Sequence, residues 1–112
     1  MEYSGNDFYC DIALRDTSTL KKEYESKNVL AYHRTQPHWP VHIVVVSKKH
    51  IKSFTERTAG DDLIIEDIIK VIQTIAQKIE KEVGAVRILT NIGKYQDSKH
   101  LHFHISSGDQ LS

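Results

Sequence analysis

The chain is poor in the residues that punctuate or cross-link a fold. Cys10 is the single cysteine and Pro37 and Pro40 are the two prolines. One cysteine cannot close an internal disulfide, which fits a reducing compartment. Net charge is also absent: 15 Lys and Arg balance 15 Asp and Glu. No field of one sign draws the protein to nucleic acid or anionic lipid, and pairs such as Lys21–Lys22 and Lys48–Lys49 read as solvated surface. Apolar runs stay short, as in "IVVV" at Ile43–Val46, far below the ~20 residues of a membrane span. The opening "MEYSGNDFYCD" has neither a basic nor an apolar signal region. A soluble, cytoplasmic protein with no nucleic-acid or membrane partner is expected. At 112 residues and 39% hydrophobic content, residues 1–112 suffice for one domain around one modest core.

No repeat, linker or low-complexity tract divides the chain. "NVLAYH" (Asn28–His33) reads as a strand, "RTQPHWP" (Arg34–Pro40) as a loop, and the β-branched "VHIVVVS" (Val41–Ser47) as a second strand. From Asp61 to Val83, Ile65, Ile68, Ile69, Ile72, Ile75, Ala76 and Ile79 recur at three- and four-residue spacing, the mark of an amphipathic helix. Asp61 or Asp62 can N-cap it, and Gly84 suits the left-handed position beyond its end. "AVRILTN" (Ala85–Asn91) reads as a third strand, "IGKYQDS" (Ile92–Ser98) as a loop, and "KHLHFHIS" (Lys99–Ser106) as a fourth strand. A loop or short helical turn fits "DTSTLKKEYESK". Short connections around one long helix predict an α+β fold with a mainly antiparallel sheet.

What the chain has in quantity is histidine, seven in all. His33, His38, His42 and His50 fall in one stretch and His100, His102 and His104 in another. On a strand alternate residues share a face, so the last three form a ladder with neighbours roughly 6.5–7 Å apart, opposite Leu101, Phe103 and Ile105. A polar strand face alone needs no function. An H-x-H pair also occurs in zinc sites, but these need a further ligand, and "ISSGDQLS" supplies no glutamate after His104.

The His–apolar–His–apolar–His–apolar pattern resembles the histidine-triad (HIT) family, and the likeness extends beyond it. "PVHIVVVSKKHI" (Pro40–Ile51) is similar to the family's Pro-x-His strand and Lys-Lys-His-Ile turn. "ILTNIG" is similar to the strand carrying its binding-site asparagine. The resemblance implies a HIT-like fold, usually dimeric through the long helix and an adjacent strand. It also implies cleavage of nucleotide conjugates, phosphoramidates or dinucleoside polyphosphates, with no cofactor or metal required. The middle histidine, His102, is then the nucleophile, and the carbonyl of His100 stabilises charge on its ring. His104 and His42 donate to phosphoryl oxygens, and Asn91 and Gln96 contact substrate. Imidazole suits this role because, with an ordinary pKa near 6.5, much of it is unprotonated at cellular pH.

The chain also departs from the family. Arg34 stands where nucleotide-binding relatives place an acidic residue for the ribose hydroxyls, and a guanidinium accepts no hydrogen bond. Lys94 and Tyr95 occupy glycine positions of the phosphate loop, and Asp97 replaces a hydroxyl residue near the leaving group. Arg34 and Asp97 flanking one pocket would pair, and Arg34 would then favour a substrate with an extra anionic group. These departures favour a binding or scaffolding member without hydrolysis as the alternative; a zinc hydrolase ligated by the triad is a further one. Relatives with Cys-x-x-Cys near the N-terminus bind a structural zinc. Asp7, Cys10, His50 and His100 make the corresponding set here, unless Cys10 is simply a small buried residue.

Overall fold

The computed structural model describes residues 20–34, 39–96 and 98–109. Five strands and one long helix occur among them: β1 (Lys22–Glu25), β2 (Val29–His33), β3 (Val41–Ser47), α1 (Asp62–Val83), β4 (Arg87–Leu89) and β5 (His102–Ser107). Short 3₁₀ turns lie at Ala59–Asp61 and Gly93–Tyr95. The sheet runs β1-β2-β3-β5-β4 with every neighbouring pair antiparallel. No helix among the described residues is long and apolar enough to cross a membrane.

β3 and α1 form where β-branched density and helical spacing place them, apart from α1 beginning one residue later. β1 corrects the expectation of a loop or helical turn. Its residues carry no strand-like alternation and are mostly exposed. An edge strand needs only backbone partners, which β2 supplies, with an irregularity between Lys22 and Tyr24. Glu25 joins Lys22 at 2.9 Å and Lys48 at 2.7 Å, in keeping with charged residues on exposed edges. β4 and β5 are shorter than expected, and β5 starts at His102 rather than Lys99 because the chain bends through 98–100.

The pleat sorts the sheet into two apolar faces. Val29, Ala31, Ile43, Val45, Phe103 and Ile105 pack with Ile68, Val71, Ile72, Ile75 and Ile79 of α1 in one cluster. Leu30, Tyr32, Val44 and Val46 form a second. Full burial of each aliphatic side chain contributes about 1.5–3 kcal/mol. Val71 and Ile75 are buried in that cluster, and Ile64 packs against it. One expectation about the helix changes. Ile69, counted with the core, is 45% exposed, as are Leu63 at 73% and Val83 at 55%.

Both helix ends have local causes. Asp61 precedes α1, but its carboxylate turns back to accept from the Thr58 N–H at 3.0 Å, the Thr58 hydroxyl at 3.2 Å and Lys49 Nζ at 2.6 Å. Gly84 ends the helix at φ 86°, a conformation that glycine adopts without strain. Gly108 stands just past β5 at φ 92°, where an added Cβ would lie 2.8 Å from Pro40 Cγ. Gly108→Ala is therefore expected to destabilise the protein by ~1–3 kcal/mol through backbone strain and overpacking, read as a lower midpoint in urea unfolding.

Lys49 and the Thr58 backbone and hydroxyl groups hold the Asp61 carboxyl below its ordinary value of 3.8. A carboxylate depressed in the folded state stabilises above its unfolded pKa, and this contribution is lost as pH falls through the folded value. Asp61→Asn should melt below the wild type at pH 7. The two melting curves should converge once the pH drops below the ordinary aspartate range; a gap independent of pH would contradict the assignment.

Candidate functional site

The register between β3 and β5 assembles the histidines. Val46 pairs with His102, Val44 with His104 and His42 with Ser106, and directly paired residues share a face. His42, His102 and His104 thus stand on the sheet face of Val44 and Val46, away from α1, and all three are buried. The rings of His102 and His104 have centroids 5.1 Å apart, and those of His104 and His42 5.0 Å.

Hydrogen bonds fix where protons sit. His102 Nδ1 lies 2.8 Å from the His100 carbonyl oxygen. A carbonyl only accepts, so Nδ1 carries the proton and the lone pair of the neutral ring is on Nε2. His42 Nε2 and His104 Nδ1 are 2.8 Å apart, so one proton is shared between these two nitrogens. If His42 donates, the proton of His104 is on Nε2.

His100 departs from the simple ladder. It lies in the bend before β5, fully buried. Its Nε2–H donates to the Ser47 carbonyl at 2.6 Å, with the Ser47 hydroxyl 3.2 Å away. That hydroxyl itself donates to the Lys49 carbonyl at 2.8 Å. The ring also stands edge-on to His50, centroids 5.2 Å apart. His100 thus gives its carbonyl to His102 while its ring is anchored at the end of β3.

The remaining expected site residues are placed unevenly. Arg34 is half-buried just past β2, its N–H donating to the His42 carbonyl at 2.9 Å. Asn91 is half-buried beyond the end of β4. Gln96 is buried, and its amide donates to the Lys52 carbonyl at 2.6 Å. Lys99 Nζ donates to the carbonyls of Gly93 at 2.9 Å and Gln96 at 3.4 Å, tying the short loop together. Lys94 and Tyr95 point outward on it, Tyr95 76% exposed. Asp97, Asp7 and Cys10 lie outside the described residues, so neither the Arg34–Asp97 pairing nor the four-ligand metal set has a described geometry. Among the described residues, no group of three His, Cys, Asp or Glu is arranged to hold a metal ion.

Four contacts were not anticipated from the sequence. Trp39 stands edge-on to His42, ring centroids 5.1 Å apart. Arg87 lies over the Trp39 ring at 5.4 Å and donates to the Gly108 carbonyl, Nη1 at 3.1 Å, closing this end of the row. Thr90 donates its hydroxyl to the His102 carbonyl at 2.6 Å. The position of Thr90 beside Asn91 was a usable signal; Trp39 and Arg87 meet only through the register of three strands.

A sequence profile of the HIT domain matches residues 16–111. An uncharacterized HIT-like protein of Chlamydia trachomatis is 32% identical over 92 residues, 80% of this chain and 82% of its own. One from Buchnera aphidicola is 30% identical over 91 residues, covering 80% and 81%. Among solved structures, a histidine triad protein from Clostridium difficile superposes with a TM-score of 0.77 at 32% identity, covering 99% of this chain and 97% of that one. A HIT family hydrolase from Legionella pneumophila gives 0.78 at 25% identity, covering 96% of both.

Proposed function

Since the chain belongs to the HIT family, we propose that it hydrolyses or transfers nucleotide conjugates through a covalent histidine intermediate. The observation that carries this reading is the 2.8 Å contact between His102 Nδ1 and the His100 carbonyl. It leaves the lone pair of the neutral ring on Nε2, and it offers an acceptor for the Nδ1 proton as the ring becomes cationic. In the first step His102 Nε2 forms a bond to phosphorus while the bond from phosphorus to the leaving oxygen or nitrogen breaks. With the His104–His42 pair carrying one added proton in the substrate complex, the leaving group takes that proton, and the proton between the two rings remains shared. Water then attacks phosphorus, its proton returns to that pair, and the bond to His102 breaks. Phosphoryl-type transfer of this kind depends on positioning and on donors aimed at developing charge. The substrate class is a nucleoside phosphoramidate or phosphoanhydride. Arg34, just past β2, favours a substrate with an added anionic group. Cys10 as single cysteine suits a reducing, cytoplasmic setting.

A second reading, binding without turnover, draws on Arg34 and on the exposed Lys94 and Tyr95 of the loop. One experiment separates the two. Purified protein is mixed with AMP-lysine, dinucleoside polyphosphates or 2′-phosphorylated adenylate conjugates, quenched without acid and weighed intact. A nucleotidyl mass on wild type, mapped to His102, is expected. It should vanish in His102→Asn, with turnover reduced by at least about 10³-fold and far-UV circular dichroism unchanged. Nucleotide binding with no adduct on wild type would establish the second reading.

The assembly reading is a two-fold homodimer. β4 is a sheet edge with Ile88 53% and Leu89 44% exposed, and α1 exposes Leu63 and Ile69. Such apolar surface on an open edge favours pairing with a second copy. Light scattering at micromolar concentration should return twice the 12.9 kDa chain mass; a single-chain mass would refute it.

A further inference from the structure

β4 leaves the sheet after Leu89, which pairs with His104. Extending that antiparallel register would set Thr90 opposite Phe103 and Asn91 opposite His102, but the strand has already ended. The His102 carbonyl is met there by a side chain, the Thr90 hydroxyl at 2.6 Å. One residue upstream, the Leu101 N–H donates to the Ile51 carbonyl at 2.6 Å. Adjacent residues of a strand direct their backbone groups to opposite sides. The entry to β5 is therefore gripped from the β3 side by a backbone carbonyl and from the β4 side by one hydroxyl.

The contact that sets the tautomer of His102 lies at that entry. The chain bends through 98–100, and the His100 carbonyl meets the His102 ring at 2.8 Å. β5 begins at His102 itself, and strand ends are the places where ladders open first. A shift of the His102 backbone moves Cα, and with it the ring, relative to the His100 oxygen. Losing that contact would let the ring proton exchange between Nδ1 and Nε2.

We propose that Thr90 is a positioning residue for His102: its hydroxyl holds the β5 entry so that Nδ1–H stays on the His100 carbonyl. This rests on the covalent reading above only for its kinetic consequence; the tautomer consequence stands independently. Thr90 is half-buried, and Thr90→Val keeps its volume while removing the donor.

The test uses the full chain labelled with ¹⁵N in its histidine rings, with His102→Asn to assign the His102 signals. Wild type at a pH where the ring is neutral should show a protonated Nδ1 and an unprotonated Nε2. Thr90→Val should bring the two resonances toward a common averaged position, and Thr90→Ser should restore the wild-type pattern. With AMP-lysine, Thr90→Val should lower kcat about tenfold with KM held within about twofold, and Thr90→Ser should recover it. A Thr90→Val protein with the wild-type ¹⁵N pattern overturns the proposal, even if it melts earlier, because the bond would then be merely structural. If Thr90→Val does not fold, Thr90→Ala carries the same test. If wild type forms no adduct yet Thr90→Val still alters the His102 tautomer, the covalent reading fails and the positioning role stands.

Discussion

The antiparallel register between β3 and β5 is the constraint on which the site depends. Val46 opposite His102 and Val44 opposite His104 place both imidazoles on the face turned away from α1. A slip of one residue would exchange the faces, setting imidazoles against Ile68, Ile72 and Ile75 and sending Phe103 and Ile105 outward. The register is secured because those apolar residues belong to the helix-facing core. Packing on one side of β5 thereby determines the chemistry presented on the other.

Around that frame, the buried histidines bond one another and main-chain oxygens. His100 bonds the Ser47 carbonyl, His102 the His100 carbonyl, and His42 pairs with His104. Burying imidazoles in this way avoids unpaired donors, which cost more than the net gain of an ordinary hydrogen bond. It also fixes ring orientation. No buried side-chain nitrogen or oxygen among the described residues lacks a partner.

Much of this was legible in the sequence, for identifiable reasons. Helical spacing from Ile65 to Ile79 and the β-branched run at Ile43–Val46 carry strong periodic signals. The alternation at His100–Ile105 placed the imidazoles opposite the core. β1 was illegible because Lys22–Glu25 lacks apolar alternation and joins the sheet by backbone pairing with β2. The bend that removes His100 from β5 was hidden because it is set by the distant carbonyls of Ser47 and Ile51. The grip of Thr90 on His102 depends on where β4 ends, and strand boundaries are the least determined feature of a sequence.

The turn after β3 has a consequence of a different kind. Between Ser47 and Lys52, four main-chain oxygens are used: Ser47 by His100, Lys49 by the Ser47 hydroxyl, Ile51 by Leu101 and Lys52 by Gln96. Three of these bonds hold the segment that delivers the histidines. Every residue type offers a main-chain oxygen, so these anchors are indifferent to most side-chain exchanges. They are sensitive instead to chain length, since inserting or deleting one residue would displace the oxygens together. The turn behaves as a ruler, and mutational drift in its spelling is tolerated where a change in its count is not.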